Sequence, residues 1–231
     1  HLRMYIASLA CNVAQSHWSF PAKWMYYHLL DADWASNALS WQWVAGTNSN
    51  KKYIANQDNI NKYCHTKQSN TFLDISYDDF DTLQIPKELL ETDSCLLKTP
   101  LPEKEFVKID KKKPTYIYNF YNLDPLWDQE IPANRILLLE PSHFNKYPIS
   151  LNSMNFMLEF SKINIDNIQL YVGEFNEFIL DHAPSEVNYK EHPLSSHYTG
   201  TKIPRDFIFD VKGYYPSFFS FWKKCKKELI Y

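Results

Sequence analysis

The segment Leu29-Leu30-Asp31-Ala32-Asp33-Trp34-Ala35-Ser36-Asn37-Ala38-Leu39-Ser40-Trp41-Gln42-Trp43 constrains this chain more than any other. It sets two carboxylates, two side-chain amides and three indoles within fifteen residues. Carboxylates two positions apart do not share a helix face, so one of them belongs to a turn or a helix start. Indoles are bulky, and a buried indole N–H needs an acceptor. Two readings stay open on these grounds: the wall of a pocket for a flat, hydrogen-bonding aromatic ligand, or a capped helix with an aromatic core stripe.

Composition narrows the class. A chain of 231 residues makes one large domain or two small ones. With 45% hydrophobic and 16% aromatic residues it is a packed globular protein, not a disordered one. The formal net charge of −3 gives no global support for nucleic-acid binding, although it leaves room for a local basic groove. Cys11, Cys64, Cys95 and Cys225 form no C-x-x-C pair, which points to reduced, mostly buried thiols in a cytoplasmic protein and to no metal site. His182, His192 and His197 show no H-x-x-x-H spacing either. No apolar run approaches about 18 residues, so no transmembrane helix and no membrane partner are expected. No signal-peptide pattern follows His1.

Three regions follow along the chain. Residues 1–65 read as helical: Met4, Ile6, Leu9, Ala10 and Val13 recur at helix spacing, and Ala22, Trp24, Met25, His28 and Leu29 continue it after Pro21. Gly46 ends the Trp-rich helix. Residues 66–113 read as an irregular linker with one short helix near Pro86–Leu90 and a solvated Lys111-Lys112-Lys113 run. From residue 114 to 231 the pattern is α/β. Tyr116–Tyr121, Arg135–Glu140 and Ile168–Gly173 read as strands and Ser153–Ile163 as a helix, giving a parallel core buried on both faces. The expected fold is therefore mixed α and α/β: a helical unit followed by an α/β unit with a parallel sheet. A G-x-G-x-x-G fingerprint is absent.

The run Asp31-Ala32-Asp33-Trp34-Ala35-Ser36-Asn37, continuing to Trp41-Gln42-Trp43, resembles the flavin-binding signature D-G-D-x-A-x-N-x-x-x-W-Q-W of the DNA photolyase/cryptochrome family. His1-Leu2-Arg3-Met4 resembles the end of that family's N-R-x-R-M motif, and the gap from Arg3 to Asp31 matches the family's spacing. Leu137-Leu138-Leu139-Glu140-Pro141 and Leu170-Tyr171-Val172-Gly173-Glu174 look like the family's Rossmann-like domain, and Tyr215–Lys223 resembles the F-T-P-F-W-K segment that leaves it. In the family that domain precedes the flavin domain; here the order is reversed, as in permuted bacterial photolyase-like proteins.

The resemblance implies FAD as cofactor and a role for each matched residue. Arg3 pairs with Asp31 beside the flavin ring, in a dry pocket. Asp33 accepts hydrogen bonds from the cofactor; on its own it also reads as a helix N-cap. Asn37 faces the reactive ring nitrogen, where a neutral amide favours the fully reduced cofactor. Trp41 and Trp18 are the proximal and middle members of an electron relay. Met4 and Trp43 line the cavity for a flipped pyrimidine dimer. The upstream phosphate contacts, acidic lesion contact and stacking Trp of the family have no match here. The start at His1 then implies a fragment or a split gene product, with an upstream complementary fragment as one expected partner. The implied activity is that of a deoxyribodipyrimidine photolyase, with damaged DNA as the other partner. The alternatives are a cryptochrome-like blue-light photoreceptor without repair, or an inactive fragment that needs a partner half.

Overall fold

The computed structural model describes every residue except Ala32, Ser49 and Tyr231; Ala32 of the signature and the chain's last residue therefore lie outside the described residues. The architecture is mixed α and α/β, with a helical unit first and a five-stranded parallel sheet after it.

The helical unit opens with α1 (Leu2–Ser8), which runs on into a π-turn over Leu9–Val13. The turn carries Asn12, whose amide donates to the Val44 and Tyr53 carbonyls at 3.0 and 2.7 Å. Helix α2 (Ser19–His28) holds Pro21 in its first turn, where a missing N–H costs nothing. Helix α3 (Trp34–Ala45) starts at Asp33 and ends at Gly46, which sits in the left-handed region at φ 71°. Helix α4 (Gln57–Cys64) follows, capped by Asn56. Small residues Ala7 and Ala22 let the helices approach the buried Trp41 indole, and Met25 and Val44 complete that core.

Residues expected to be linker are partly packed. Leu73 and Phe80, the latter in a 3₁₀ turn over Tyr77–Thr82, join Val13 in a second small core with Ile54 and Ile60 around it. The segment up to Leu89 thus belongs physically with the helical unit. The short helix expected near Pro86 is a single 3₁₀ turn, Lys87–Leu89. Beyond it, Thr99 and Val107 lie along the α/β unit: Thr99 accepts from the Ile149 N–H, and Val107 is buried among sheet residues.

The sheet comprises β1 (Thr115–Tyr118), β2 (Asn134–Leu139), β3 (Ile168–Val172), β4 (Val187–Lys190) and β5 (Thr201–Ile203), in the order β3-β2-β1-β4-β5 with every pairing parallel. Alternate residues of β2 explain its continuous apolar run. Leu137 and Leu139 face one core with Phe144, Met154 and Met157 of α5 (Pro141–Lys146) and α6 (Leu151–Asn164). Ile136 and Leu138 face the other with Phe175 and Phe178 of α7 (Phe175–His182). A last helix, α8 (Phe218–Cys225), is amphipathic and follows an irregular stretch. Of the cysteines, Cys64 and Cys95 are exposed, so the expectation of mostly buried thiols holds only for Cys225 and partly for Cys11. Among the described residues no helix is long and apolar enough to cross a membrane.

The two units share a core. Tyr26 of α2 is 1% exposed and packs with the Leu137–Leu139 side of the sheet, joined by Leu29 and Trp34. The contact surrounds the turn from α2 to α3, which carries the two aspartates of the signature.

Candidate functional site

The turn and the α3 face beside it form the floor and one wall of a cleft of about 470 Å³. Arg3, Met4 and Ala7 of α1 form the opposite side, Met25 comes from α2 and Leu29 from the residue that follows it. From α3 come Ser36, Asn37, Ser40, Trp41 and Val44, which the helix repeat places on one face. The cleft thus gathers Arg3, Met4, Asp31, Asp33, Asn37 and Trp41, residues spread over forty positions of sequence.

The aspartates hold different positions. Asp31 lies in the turn, where Nη2 of Arg3 donates to both of its oxygens at 3.0 and 3.1 Å. The two side chains are 59% and 69% exposed, so the pair lies in solvent and not in the dry pocket the sequence implied. An exposed pair of this kind contributes about 0.5 kcal/mol or less to stability, so its value lies in fixing a guanidinium beside the cleft. Asp33 caps α3: its carboxylate accepts from the Ser36 N–H at 2.7 Å, and its carbonyl accepts from the Asn37 N–H at 3.0 Å. The cap and the cleft-lining role coincide in this residue, because a carboxylate held at a helix start also points its remaining lone pairs outward.

Asn37 is half-buried and donates its amide N–H to the Ala22 carbonyl at 2.9 Å. That bond fixes the side chain's orientation and leaves Oδ1 as an acceptor with no partner among the described residues. Trp41 is 2% exposed and lies in the helical core beneath the cleft. Trp18 packs on the edge of that same apolar cluster, so the two indoles expected to act in sequence share continuous packing. Trp43 does not join the cleft. It is 46% exposed and leans on Tyr53 at a ring distance of 5.5 Å. Two positions from Trp41 the helix has turned by about 200°, which carries the side chain off the cleft-lining face.

A second polar cluster, unread in the sequence, lies at the carboxyl ends of β1, β2 and β4, where the strand order reverses. Glu140 is 6% exposed and accepts from the Phe175 N–H at 3.0 Å and from the Tyr198 hydroxyl at 2.9 Å. Its Oε1 also pairs with His197 Nε2 at 2.8 Å. Beside it, His143 has a buried Nε2 without a partner among the described residues. Burial, with His192 and Lys146 nearby, lowers its pKa to about 4. Burial also lowers His192 and pushes the Tyr198 phenol up. The signal for this cluster was present: an acidic residue directly after the apolar run Ile136–Leu139.

The cleft suits one class of ligand. A flat heteroaromatic ring with an amide-type edge finds an apolar floor in Met25, Leu29 and Val44, a guanidinium donor in Arg3, acceptors in Asp31 and Asp33, and the acceptor oxygen of Asn37. An isoalloxazine ring has this character, and the residues present fit it. The N-terminal unit is a flavin-binding domain, and residues 1–74 match the model of the FAD binding domain of DNA photolyase. FAD is the cofactor of this domain. The comparisons with curated proteins and with solved structures returned no match.

Proposed function

We propose that this flavoprotein is a photolyase that splits pyrimidine dimers in DNA in blue light, acting in the cytoplasm. The observation that carries the reading is the composition of the cleft: Asn37, Trp41 and Met4 stand around it together with the Arg3–Asp31 pair. Bound FAD supplies light absorption and the transferable electron. Arg3 and Asp33 hold and orient the ring, the guanidinium by donating and the carboxylate by accepting. Asn37 puts a neutral amide, with its N–H already bonded to Ala22, where an acid would offer a proton. Trp41 and Trp18 are oxidisable indoles in one packed cluster reaching the cleft floor, placed to pass electrons toward it. Met4 gives an apolar wall to an extruded base.

A photoreceptor without repair is the second reading, favoured by Trp43, which lies off the cleft where the resemblance asks for a lesion-facing indole. The two separate in one experiment. The FAD-loaded chain, chemically reduced and mixed with an oligonucleotide carrying a thymine dimer, should lose dimer only in blue light. Trp41→Phe should abolish photoreduction of the oxidised cofactor yet leave repair by the pre-reduced form intact, because repair sends the electron to DNA. Photoreduction with no dimer loss in the wild-type chain would reject repair and leave the photoreceptor.

A further inference from the structure

The turn that carries Asp31 and Asp33 has two sides. One faces the cleft. On the other lies a groove of about 250 Å³ whose walls include Phe120, Tyr121 and Met157 of the α/β unit. Among the described residues, the aspartates of the turn are held from the helical unit by Arg3 and by the cap to Ser36. Its flanking backbone is held from the α/β unit. The Ser150 N–H donates to the Tyr27 carbonyl at 2.9 Å, and the Ser153 hydroxyl donates to the Leu29 carbonyl at 3.4 Å.

Tyr121 completes the clamp. Its hydroxyl shares a 2.9 Å hydrogen bond with that of Tyr26. Trp34 is the first residue of α3. Tyr26 in turn meets the Trp34 indole edge-on at 5.5 Å. Tyr121 is itself fixed: its N–H donates to Asn119 Oδ1 at 2.9 Å, directly after β1, and its ring stacks on His192 at 4.5 Å and 12°. The phenol therefore ties the sheet to α2 before the turn, and through the Tyr26 ring to Trp34 after it.

We propose that Tyr121 is a positioning residue for the FAD site, setting the Asp31–Asp33 turn from the α/β unit. The proposal rests on the cleft being the FAD site. Its test is Tyr121→Phe in the full chain, which removes one hydroxyl and keeps the ring and its stack. The control is Tyr27→Phe, which deletes a phenol bond to the Lys98 carbonyl beside the same contact without touching the turn. In Tyr121→Phe, amide hydrogen exchange at Trp34, Ser36 and Asn37 should accelerate about threefold to tenfold. FAD should bind about threefold to tenfold more weakly, with a blurred fine structure of its blue absorption band. In Tyr27→Phe all three should stay at wild-type values. Wild-type exchange and FAD affinity in Tyr121→Phe would overturn the proposal. So would equal losses in both variants, which would mark a general loss of stability. A wild-type chain that takes up no FAD would reject the site itself, while the exchange measurement would still decide the clamp.

Discussion

Asn37 donates to the backbone oxygen of Ala22, and that contact decides what an acid would do in its place. In Asn37→Asp an ionised carboxylate faces a carbonyl oxygen, whereas the protonated acid can donate and restore the bond. The new acid's folded pKa is therefore raised above the ordinary value of about 3.9. A carboxyl group raised in the fold gives its full stability below its unfolded pKa and loses it as pH climbs through the folded one. Urea melts should show the variant near wild type at pH 4 and about 1–3 kcal/mol less stable at pH 8. Identical pH profiles would remove the Ala22 contact from the account. At this scale much of the site was legible, because rare residues in fixed register name their partners: Arg3 meets Asp31 across 28 positions. What register does not give is exposure. The Arg3–Asp31 pair lies in solvent, and Trp43 sits just off the cleft, because a helix rotates neighbours apart faster than a motif written as a line suggests.

Helix α3 carries structure and chemistry on one residue, and substitution separates them. Asp33→Asn keeps an oxygen for the Ser36 N–H and removes the charge; Asp33→Ala removes both. The first should stay within about 0.5 kcal/mol of wild type, because Asn and Asp cap comparably. The second should cost about 1 kcal/mol in chemical denaturation. Both should weaken FAD binding in a fluorescence titration if the carboxylate is the group that accepts from the ring. Retained affinity in Asp33→Asn would leave Asp33 as a cap alone. The boundaries of α3 were readable from Asp33 and Gly46, and β2 from an unbroken apolar run. Strands β4 and β5 were not, because they are short and carry Asn188, Lys190 and Lys202, polar residues that read as loop. Helix α7 was missed for a related reason. Its eight residues are too few to establish a period, and its start rests on a capping box built from Glu174 and Glu177 rather than from Ser or Thr.

At the scale of the molecule, a helical flavin-binding unit and a parallel α/β unit meet through Tyr26, Trp34 and Tyr121, and the ground beneath that meeting is polar. Tyr121 stands edge-on to His143 at 5.9 Å, and His143 borders the small cavity shared with Glu140. Burial keeps the imidazole neutral, with a pKa near 4, while in the unfolded chain it titrates near its ordinary 6.5. Between those values the unfolded state binds the proton and the folded state does not, so stability must fall as pH drops from about 6.5 to 4 and level off below. The contribution of this one group is about 3 kcal/mol across that window. His143→Gln keeps a polar side chain of similar reach and cannot titrate, so the difference between its unfolding free energy and the wild type's should shrink by that amount on acidification. His192, stacked on Tyr121, remains in both proteins, and its own titration cancels in the comparison. A difference that stays constant from pH 7.5 to 4 would show that His143 takes its proton in the folded state as readily as in the unfolded one. The carboxyl end of the sheet would then admit charge and water beneath the contact between the two units.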